Sequence, residues 1–588
     1  MKYSLIEPVY DPEALYNSQL LAREFSIPFQ LGCILNRRGL DTAACVQEFL
    51  FGDFSSLPKP SELKGMTSAV RTILTSCFEK APIVIHGDYD VDGISATVLL
   101  YRFLKSLGVR PWYHIPNRLS DKYGLSGESI QYIIQKLHGK RGLIISVDCG
   151  ISAHEAVSYA HSQGFKVVIT DHHEPPNRLP EAEAIVNPKQ QGCPFPFKEL
   201  SGVGVAFFLA AALRRELINR NYWDNGNTPP NLKQYLDLVA LGTVADVMPL
   251  LGANRILVRG GLEVLSQKKR TGIMALCEQC GLHRQDRVSS EDISFRLAPR
   301  INAAGRMGQA EVAVELLLSE SQADARTLAT QLDSLNLTRK NMEQDVLQEI
   351  MEECEHLAAE GANALTIYHE RCHPGILGIV ASRIADRFQR PAIVLTKDHN
   401  ASGKQIIFKG SGRSTEGCNL YEKIKKCDPY MEQFGGHPMA IGLTLRAEHF
   451  SDFQQVLDTL CKTDRKEQIK YLRVDYCSRQ KRVLSDEFVN KLQLLQPFGE
   501  GNPEPLFMLH RQELQNMKNV KGHLKFQLKS NTHRPISGIG FFQAQQLEEI
   551  RGNKVDIVFK LKQSFFKGIC RNEIQAVNIT PVDTHRKI

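Results

Sequence analysis

The sequence predicts an α/β protein: a doubly wound parallel sheet, a helical connector, a smaller α/β domain and a C-terminal β-barrel. Three observations carry this. Between residues 60 and 310, the β-rich apolar runs Ile83–Ile85, Leu143–Val147 and Val167–Thr170 alternate with amphipathic segments, as in parallel βαβ units. The alternation resumes from 362 to 455, after a stretch almost free of glycine and proline. From 466 to 588, short β-like runs are split by turns, about five strands in all, which suits a small barrel of OB type.

Residues 1–59 mix short helical patterns (Leu20–Phe25, Asp41–Phe51) with Pro and Gly breaks and read as an arm packed on the first domain. In the 60–310 domain the residues after each strand are informative. His86-Gly-Asp-Tyr-Asp-Val-Asp-Gly93 follows the first, Asp148-Cys-Gly150 the second and Asp171-His-His173 the third. Strand carboxyl ends are where open α/β sheets bind ligands. Clustered carboxylates repel unless a cation neutralises them, and oxygen-rich sites select Mg²⁺ or Mn²⁺. Each aspartate alone also reads as a helix cap, Asp92 for the helix after Gly93. A fourth acidic position, Asp246, lies where the helical stretch Tyr235–Leu241 gives way to Gly242-Thr-Val-Ala-Asp-Val-Met-Pro249.

The connector, 311–361, carries Leu328, Leu332, Leu335, Val346 and Ile350 on a recurring apolar face. In the 362–455 domain, Ala364–Tyr368 and Ala392–Leu395 read as strands and Gly378–Phe388 as a helix. Two glycine-rich corners follow, Lys409-Gly-Ser-Gly-Arg-Ser414 and Gly435-Gly-His-Pro-Met-Ala-Ile-Gly442, whose backbone N–H groups suit phosphate oxygens. In the last region Phe526, Phe541, Phe542, Phe559, Phe565 and Phe566 are interleaved with Lys518, Lys521, Lys525, Lys529, Lys560, Lys562 and Lys567. Rings that stack on bases and lysines that follow the backbone fit single-stranded nucleic acid, though alternation places about half the rings in the core.

Composition narrows the class. With 588 residues, 42% hydrophobic and 23% charged, the chain has material for about three or four globular domains. No apolar run spans a membrane and no leader pattern opens the chain, so a cytoplasmic location is expected. The 14 scattered cysteines read as reduced thiols, Cys277-Glu-Gln-Cys280 included, since no second pair at zinc spacing follows it. From Lys466 onward 21 Lys and Arg face 12 Asp and Glu, a net of +9. The rest of the chain therefore carries −2 of the total +7, and the basic surplus belongs to the candidate barrel.

Together, residues 83–93, Val147–Ile151, Asp171-His172-His173 and Gly242–Asp246 resemble the four motifs of the DHH phosphoesterases, and Gly435–Gly442 resembles the motif of the accompanying DHHA1 domain. Further stretches are similar to the RecJ family of single-strand-specific 5′→3′ DNA exonucleases. These are Ile115-Pro-Asn-Arg-Leu119, Tyr123-Gly-Leu125, Leu297–Met307, His373–Gly378 and Gly410–Ser414. The resemblance spans roughly residues 60 to 580.

It implies two divalent ions, Mn²⁺ or Mg²⁺, one on His86, Asp90 and Asp148 and the other on Asp92, Asp148, His172 and Asp246. Asp88 and Asp171 would support the site from outside the ligand set. Such a pair, about 3.5–4 Å apart, activates water and clamps an in-line displacement, releasing 5′-mononucleotides. His173 would face the leaving oxygen, Arg306 and Asn302 the scissile phosphate, and Arg118, Ser411 and Arg413 the terminal phosphate. Tyr123 would stack on a terminal base, and Gly435, Gly436 and His437 would line the substrate path. A role in DNA repair and recombination, with single-strand-binding protein and a RecQ-type helicase as partners, is likewise implied by resemblance. The rival readings are another DHH hydrolase acting on oligoribonucleotides, cyclic dinucleotides or pyrophosphate, and a scaffold that binds single strands without cutting them.

Overall fold

The computed structural model describes residues 3–121, 124–223, 228–398, 405–462, 470–528, 535–566 and 569–582. These form two compact units, one of residues 58–248 and 260–468, the other of residues 1–57, 249–259 and 469–588. No helix among the described residues is long and apolar enough to cross a membrane. The described cysteines are free thiols.

The first unit is built on a five-stranded, all-parallel sheet in the order Trp112–His114, Ile83–Gly87, Leu143–Val147, Lys166–Thr170, Ala184–Val186. The three predicted strands form its centre. Ile83–Gly87 and Leu143–Val147 are buried along their whole length, as parallel strands covered on both faces must be. The helix Val91–Ser106 buries twelve of its sixteen residues, because it packs against the sheet and against the helices Gly202–Asn219 and Leu236–Ala245. Its surroundings explain why its apolar residues are not confined to one stripe.

The connector is the 38-residue helix Gln322–Ala359, started by Ser321, whose Oγ accepts from Asp324 N at 3.3 Å. Its apolar face is interrupted by buried Asn336 and Glu343. Arg339 satisfies both, donating to Asn336 Oδ1 at 2.6 Å and Glu343 Oε2 at 2.8 Å, and Arg383 adds a bond to Glu343 Oε1 at 3.1 Å.

A second five-stranded sheet follows, in the order Met431–His437, Ala440–Arg446, Ile407–Arg413, Ala392–Lys397, Leu365–Tyr368. The predicted corner at Lys409–Ser414 is instead the central strand Ile407–Arg413. Packing requires its glycines. A Cβ on Gly410 would lie 3.0 Å from the Leu395 side chain, and one on Gly412 2.7 Å from Ile441. The Gly435–Gly442 segment is a hairpin on the sheet edge, turning at Pro438-Met439.

In the other unit the described residues of the C-terminal region form a sheet of seven strands, where about five were expected. Their order is Tyr476–Ser478, Phe507–Gln512, Val555–Phe566, Ile569–Pro581, Ile536–Gly540, His523–Leu528, Leu514–Val520. The N-terminal arm, expected on the first domain, contributes to this core. Leu31, Ile34, Leu35, Phe49 and Leu50 share a buried cluster with Val489, Leu492, Phe507 and Phe559. The strand Tyr3–Ile6 pairs in parallel with Lys470–Arg473. Of the predicted stacking rings, Phe526 and Phe559 are core, while Phe541 and Phe542 are exposed. Lys529, Lys567 and the side chains of Phe565 and Phe566 lie outside the described residues. Lys518 and Lys525 are direct cross-strand partners, a like-charge pairing that costs stability unless an anion shares it.

Buried Arg255 ties three segments of this unit together. Its guanidinium donates to Phe49 O at 2.7 Å and to Leu495 O and Leu494 O at 3.0 Å each, and lies over the Phe49 ring. Replacing it leaves those carbonyls without their donor in the core, so Arg255→Met is predicted to destabilise this unit by about 3 kcal/mol. Guanidinium-induced unfolding checks this, and a loss below about 1 kcal/mol would contradict the tie.

Candidate active site

Three central strands deliver their acidic residues to one edge because a parallel sheet ends all its strands on the same side. Asp90 starts the helix Val91–Ser106. Its Oδ1 accepts from Asp92 N at 2.9 Å and Gly93 N at 3.0 Å. The cap is therefore Asp90, not Asp92. Asp92 is the second residue of that helix, buried, and is held by the N-terminus of another helix, accepting from Gly202 N at 2.6 Å and Val203 N at 2.9 Å. Asp148 follows its strand at φ +60°, a conformation that costs a non-glycine residue energy and clusters at functional sites. Its amide donates to Thr170 O at 2.9 Å, which locks the turn.

These placements create two groups of ligand atoms, each within 4.8 Å, Asp88 with Asp90 and Asp148, and Asp92 with His172 and Asp246, linked by a third of Asp148, His172 and His173. His172 Nε2 stands 3.1 Å from Asp148 Oδ1, 3.5 Å from Asp246 Oδ2 and 3.9 Å from Asp92 Oδ2, joining the two. Despite these carboxylates the imidazole is neutral, because burial and then His173 lower its pKa to about 3. Burial, followed by the neighbouring carboxylates, raises Asp92 and Asp148 and lifts Asp246 to about 7. His172 Nε2 and Asp148 Oδ1 are buried with no hydrogen-bond partner. Buried polar atoms are normally paired, so an unpaired nitrogen lone pair facing carboxylate oxygens fits divalent cations.

The structure does not bring His86 into either group, and it does bring in Asp88, expected outside them. His86 is fully buried with Nε2 unpaired, its Nδ1 3.6 Å from Cys149 Sγ and its ring edge-on to His114. Asp171 points back into the fold. It accepts from Ile151 N at 2.9 Å, His172 N at 2.7 Å and His173 N at 3.0 Å, and pairs with His173 Nδ1 at 2.7 Å. Burial opposes the charge on His173, but this bond and the Asp171 charge outweigh it and lift the imidazole to about 9. His173, half-exposed and grouped with Asp148 and His172, is thus held as a cation by Asp171.

Next to the carboxylates lies an arginine cluster. Arg306 ends the helix Ala298–Arg306, and Asn302 precedes it by one turn on the same face. Burial, then Arg118, Arg339 and Arg413, lowers Arg306 to about 10. Arg413 is likewise lowered by burial and Arg118. Mutually repelling guanidinium groups at one place form an anion site. Arg118 lies over the Tyr89 ring, and Arg413 is braced by Ser411 Oγ at 3.1 Å and Gly412 O at 2.8 Å. Sheet register extends the face bearing Ser411 and Arg413 across the hairpin, Ser411 opposite Gly442 and Gly442 opposite Gly435, Arg413 opposite Ala440 and Ala440 opposite His437. His437 therefore projects from the same face as Arg413, and Gly435 leaves open space there. Gly436 sits one row on at φ +140°. Tyr123 lies outside the described residues.

Sequence reasoning missed the glycines that floor the carboxylates. A Cβ on Gly202 would lie 2.4 Å from Asp148 Oδ1, and one on Gly242 2.5 Å from Asp92 Oδ1. Ser201, which caps the first of these helices, followed by Gly-Val-Gly204, was the available signal.

Comparison with known proteins agrees with this layout. The model for "DHH family, N-terminal domain" matches residues 82–243, "DHHA1 domain" residues 361–463 and "RecJ OB domain" residues 479–577. The single-stranded-DNA-specific exonuclease RecJ of Bacillus subtilis is 36% identical over 544 residues, 92% of this chain and 66% of that protein. Its Escherichia coli namesake is 38% identical over 89% of this chain and 91% of its own length. The crystal structure of Thermus thermophilus RecJ in complex with Mn²⁺ superposes with a TM-score of 0.80 at 28% identity, covering 98% of this chain and 79% of that one. Its complex with Mg²⁺ gives 0.73 at 27% identity, covering 98% and 78%.

Gly202→Ala tests the floor. The added methyl group displaces Asp148, and Mn²⁺ affinity measured by calorimetry is predicted to fall about tenfold or more. Unchanged affinity would mean that Asp148 binds no ion.

Proposed function

The chain belongs to the RecJ family of DHH phosphoesterases, and from that premise we propose that it is a single-strand-specific 5′→3′ DNA exonuclease acting in repair. One observation carries the reading: the unpaired His172 Nε2 and Asp148 Oδ1 stand among four further carboxylates, near the crowded arginines Arg118, Arg306 and Arg413. Such a site suits divalent cations and a phosphodiester together. The alternatives from the same superfamily, and the scaffold without catalysis, have no observation in their favour.

Two ions, Mn²⁺ or Mg²⁺, are assigned to the two groups. Asp92, Asp148, His172 and Asp246 would hold one, and Asp90 and Asp148 the other, with Asp88 grouped beside them and His86, whose buried Nε2 has no partner, the further candidate. When bound, such ions supply an activated water and neutralise charge on the phosphate. The protein does the rest. Arg306, with Asn302 one turn away, holds the scissile phosphate and stabilises its extra charge in the transition state. His173, kept protonated and oriented by Asp171, delivers its Nε2 proton to the departing 3′ oxygen of the terminal nucleotide. That nucleotide leaves as a 5′-mononucleotide, and the shortened strand keeps a 5′-phosphate, ready for the next turnover.

Arg118, Ser411 and Arg413 receive the terminal 5′-phosphate, since guanidinium forks pair two oxygens at once. The side-chain-free track through Gly442 and Gly435, with Gly436 and His437 beyond, lets a strand lie close to the sheet. The basic C-terminal domain, with Phe541 and Phe542 exposed, binds single-stranded DNA by stacking and charge. Family resemblance alone supports single-strand-binding protein and a RecQ-type helicase as partners.

Digestion of end-labelled single strands with and without chelator tests the reading. The expected result is Mn²⁺-dependent release of mononucleotides from the 5′ end, abolished in Asp90→Ala and Asp148→Ala while DNA binding persists. Retained turnover in either variant would refute the ligand assignment. Arg413→Gln is predicted to remove the preference for a 5′-phosphate over a 5′-hydroxyl. The loss in kcat/KM on the phosphorylated strand should be roughly ten- to a hundredfold, about 1.5–3 kcal/mol for a charged hydrogen bond.

A further inference from the structure

The unit of residues 1–57, 249–259 and 469–588 contains another set of ligand-capable groups, far in sequence from the carboxylate motifs. Glu7, Cys477 and His510 each offer one atom, and the three lie within 4.8 Å of one another. They come from three segments. Glu7 follows the strand Tyr3–Ile6, Cys477 is the middle residue of Tyr476–Ser478, and His510 lies on Phe507–Gln512, which pairs in parallel with the Cys477 strand.

His510 is aimed by a local device. Its strand loses register against Val555–Phe566 between Leu509 and Gln512, and Arg511 there adopts φ +53°. A bulge of this kind re-directs the neighbouring side chain. Asp556 fastens the bulge, accepting from Arg511 N at 2.8 Å and pairing with His510 Nδ1 at 3.2 Å. With Nδ1 so engaged, Nε2 is the ring nitrogen that faces Glu7, 3.6 Å from Oε2. A carboxylate behind one imidazole nitrogen fixes the tautomer and raises the basicity of the other, the arrangement found behind metal-bound histidines. Cys477 is held from its backbone, its amide donating to Tyr10 Oη at 3.3 Å.

We propose that Glu7, Cys477 and His510 form a separate Zn²⁺ site that fastens the start of the chain to the C-terminal sheet. One sulfur, one nitrogen and one oxygen donor suit zinc, whereas Mg²⁺ and Mn²⁺ favour all-oxygen sets. A water completes the tetrahedron. Zinc bonds of about 2.0–2.3 Å put ligand atoms about 3.3–3.7 Å apart, and His510 Nε2 and Glu7 Oε2 already stand at that spacing. Burial, with Glu7 and Asp556 adding to it, pushes the Cys477 thiol up to about 12 and keeps it protonated without an ion. Zinc binding then forms the sulfur–metal bond and releases the thiol proton to solvent, with no change of oxidation state. The site is independent of the proposed metal centre, because none of its residues belongs to the unit that holds the carboxylates and the arginines.

The test uses the full chain in excess Mn²⁺, which occupies the carboxylate cluster, titrated with Co²⁺ and then Zn²⁺. One equivalent of Co²⁺ is expected to give a thiolate-to-cobalt charge-transfer band that one equivalent of Zn²⁺ abolishes. The band should be lost in Cys477→Ser and His510→Ala, weakened in affinity about tenfold in Glu7→Gln, and retained in Cys149→Ser. Circular dichroism establishes that each variant is folded. A band that survives in folded Cys477→Ser, or the absence of saturable zinc binding in excess Mn²⁺, would overturn the proposal.

Discussion

Asp88, Asp90, Asp92, Asp148 and Asp246 crowd one end of a parallel sheet around a neutral imidazole, and their mutual repulsion is the constraint on which the rest depends. Two like charges 4 Å apart repel by about 4 kcal/mol at an effective dielectric constant of 20. A few such pairs rival the whole stability of a domain, about 5–15 kcal/mol. The cluster must therefore take up protons or cations, and burial, followed by the Asp90 charge, lifts Asp246 to about 7. Cations resolve the same repulsion while creating a reactive site.

The architecture around this cluster serves to hold it. The sheet gathers the strand ends, and the helix starting at Gly202 turns its amides onto Asp92 while omitting the side chain that would displace Asp148. Asp171 accepts from the backbone amides of His172 and His173 and pairs with His173 Nδ1, so one carboxylate outside the ligand groups fixes the backbone of both histidines and the ring of His173. Near the carboxylates the charge is opposite: Arg306 and Arg413 are half-buried beside Arg118, and burial and then this crowding lower their pKa values.

Much of this was readable from residues alone, for reasons that also explain the failures. Leu143–Val147 was visible because a strand buried on both faces is a continuous apolar run, whereas Trp112–His114 and Ala184–Val186 are too short to show any period. Gly410 and Gly412 suggested a loop because their reason for being glycine, contact with Leu395 and Ile441, is not local. The partner of the N-terminal arm lies more than 400 residues away, where Arg37 donates to Val474 O, and no local pattern could announce it. Within the motif, the spacing placed the acidic groups together. The left-handed turn at Asp148 and the floor formed by Gly202 are equally invisible without coordinates.

Crystals grown with Mn²⁺ and measured at the manganese absorption edge test the central claim most directly. Two anomalous peaks are predicted, one bounded by Asp88, Asp90 and Asp148 and one by Asp92, Asp148, His172 and Asp246, with Asp148 shared. A single peak, or peaks away from Asp148, would contradict the account.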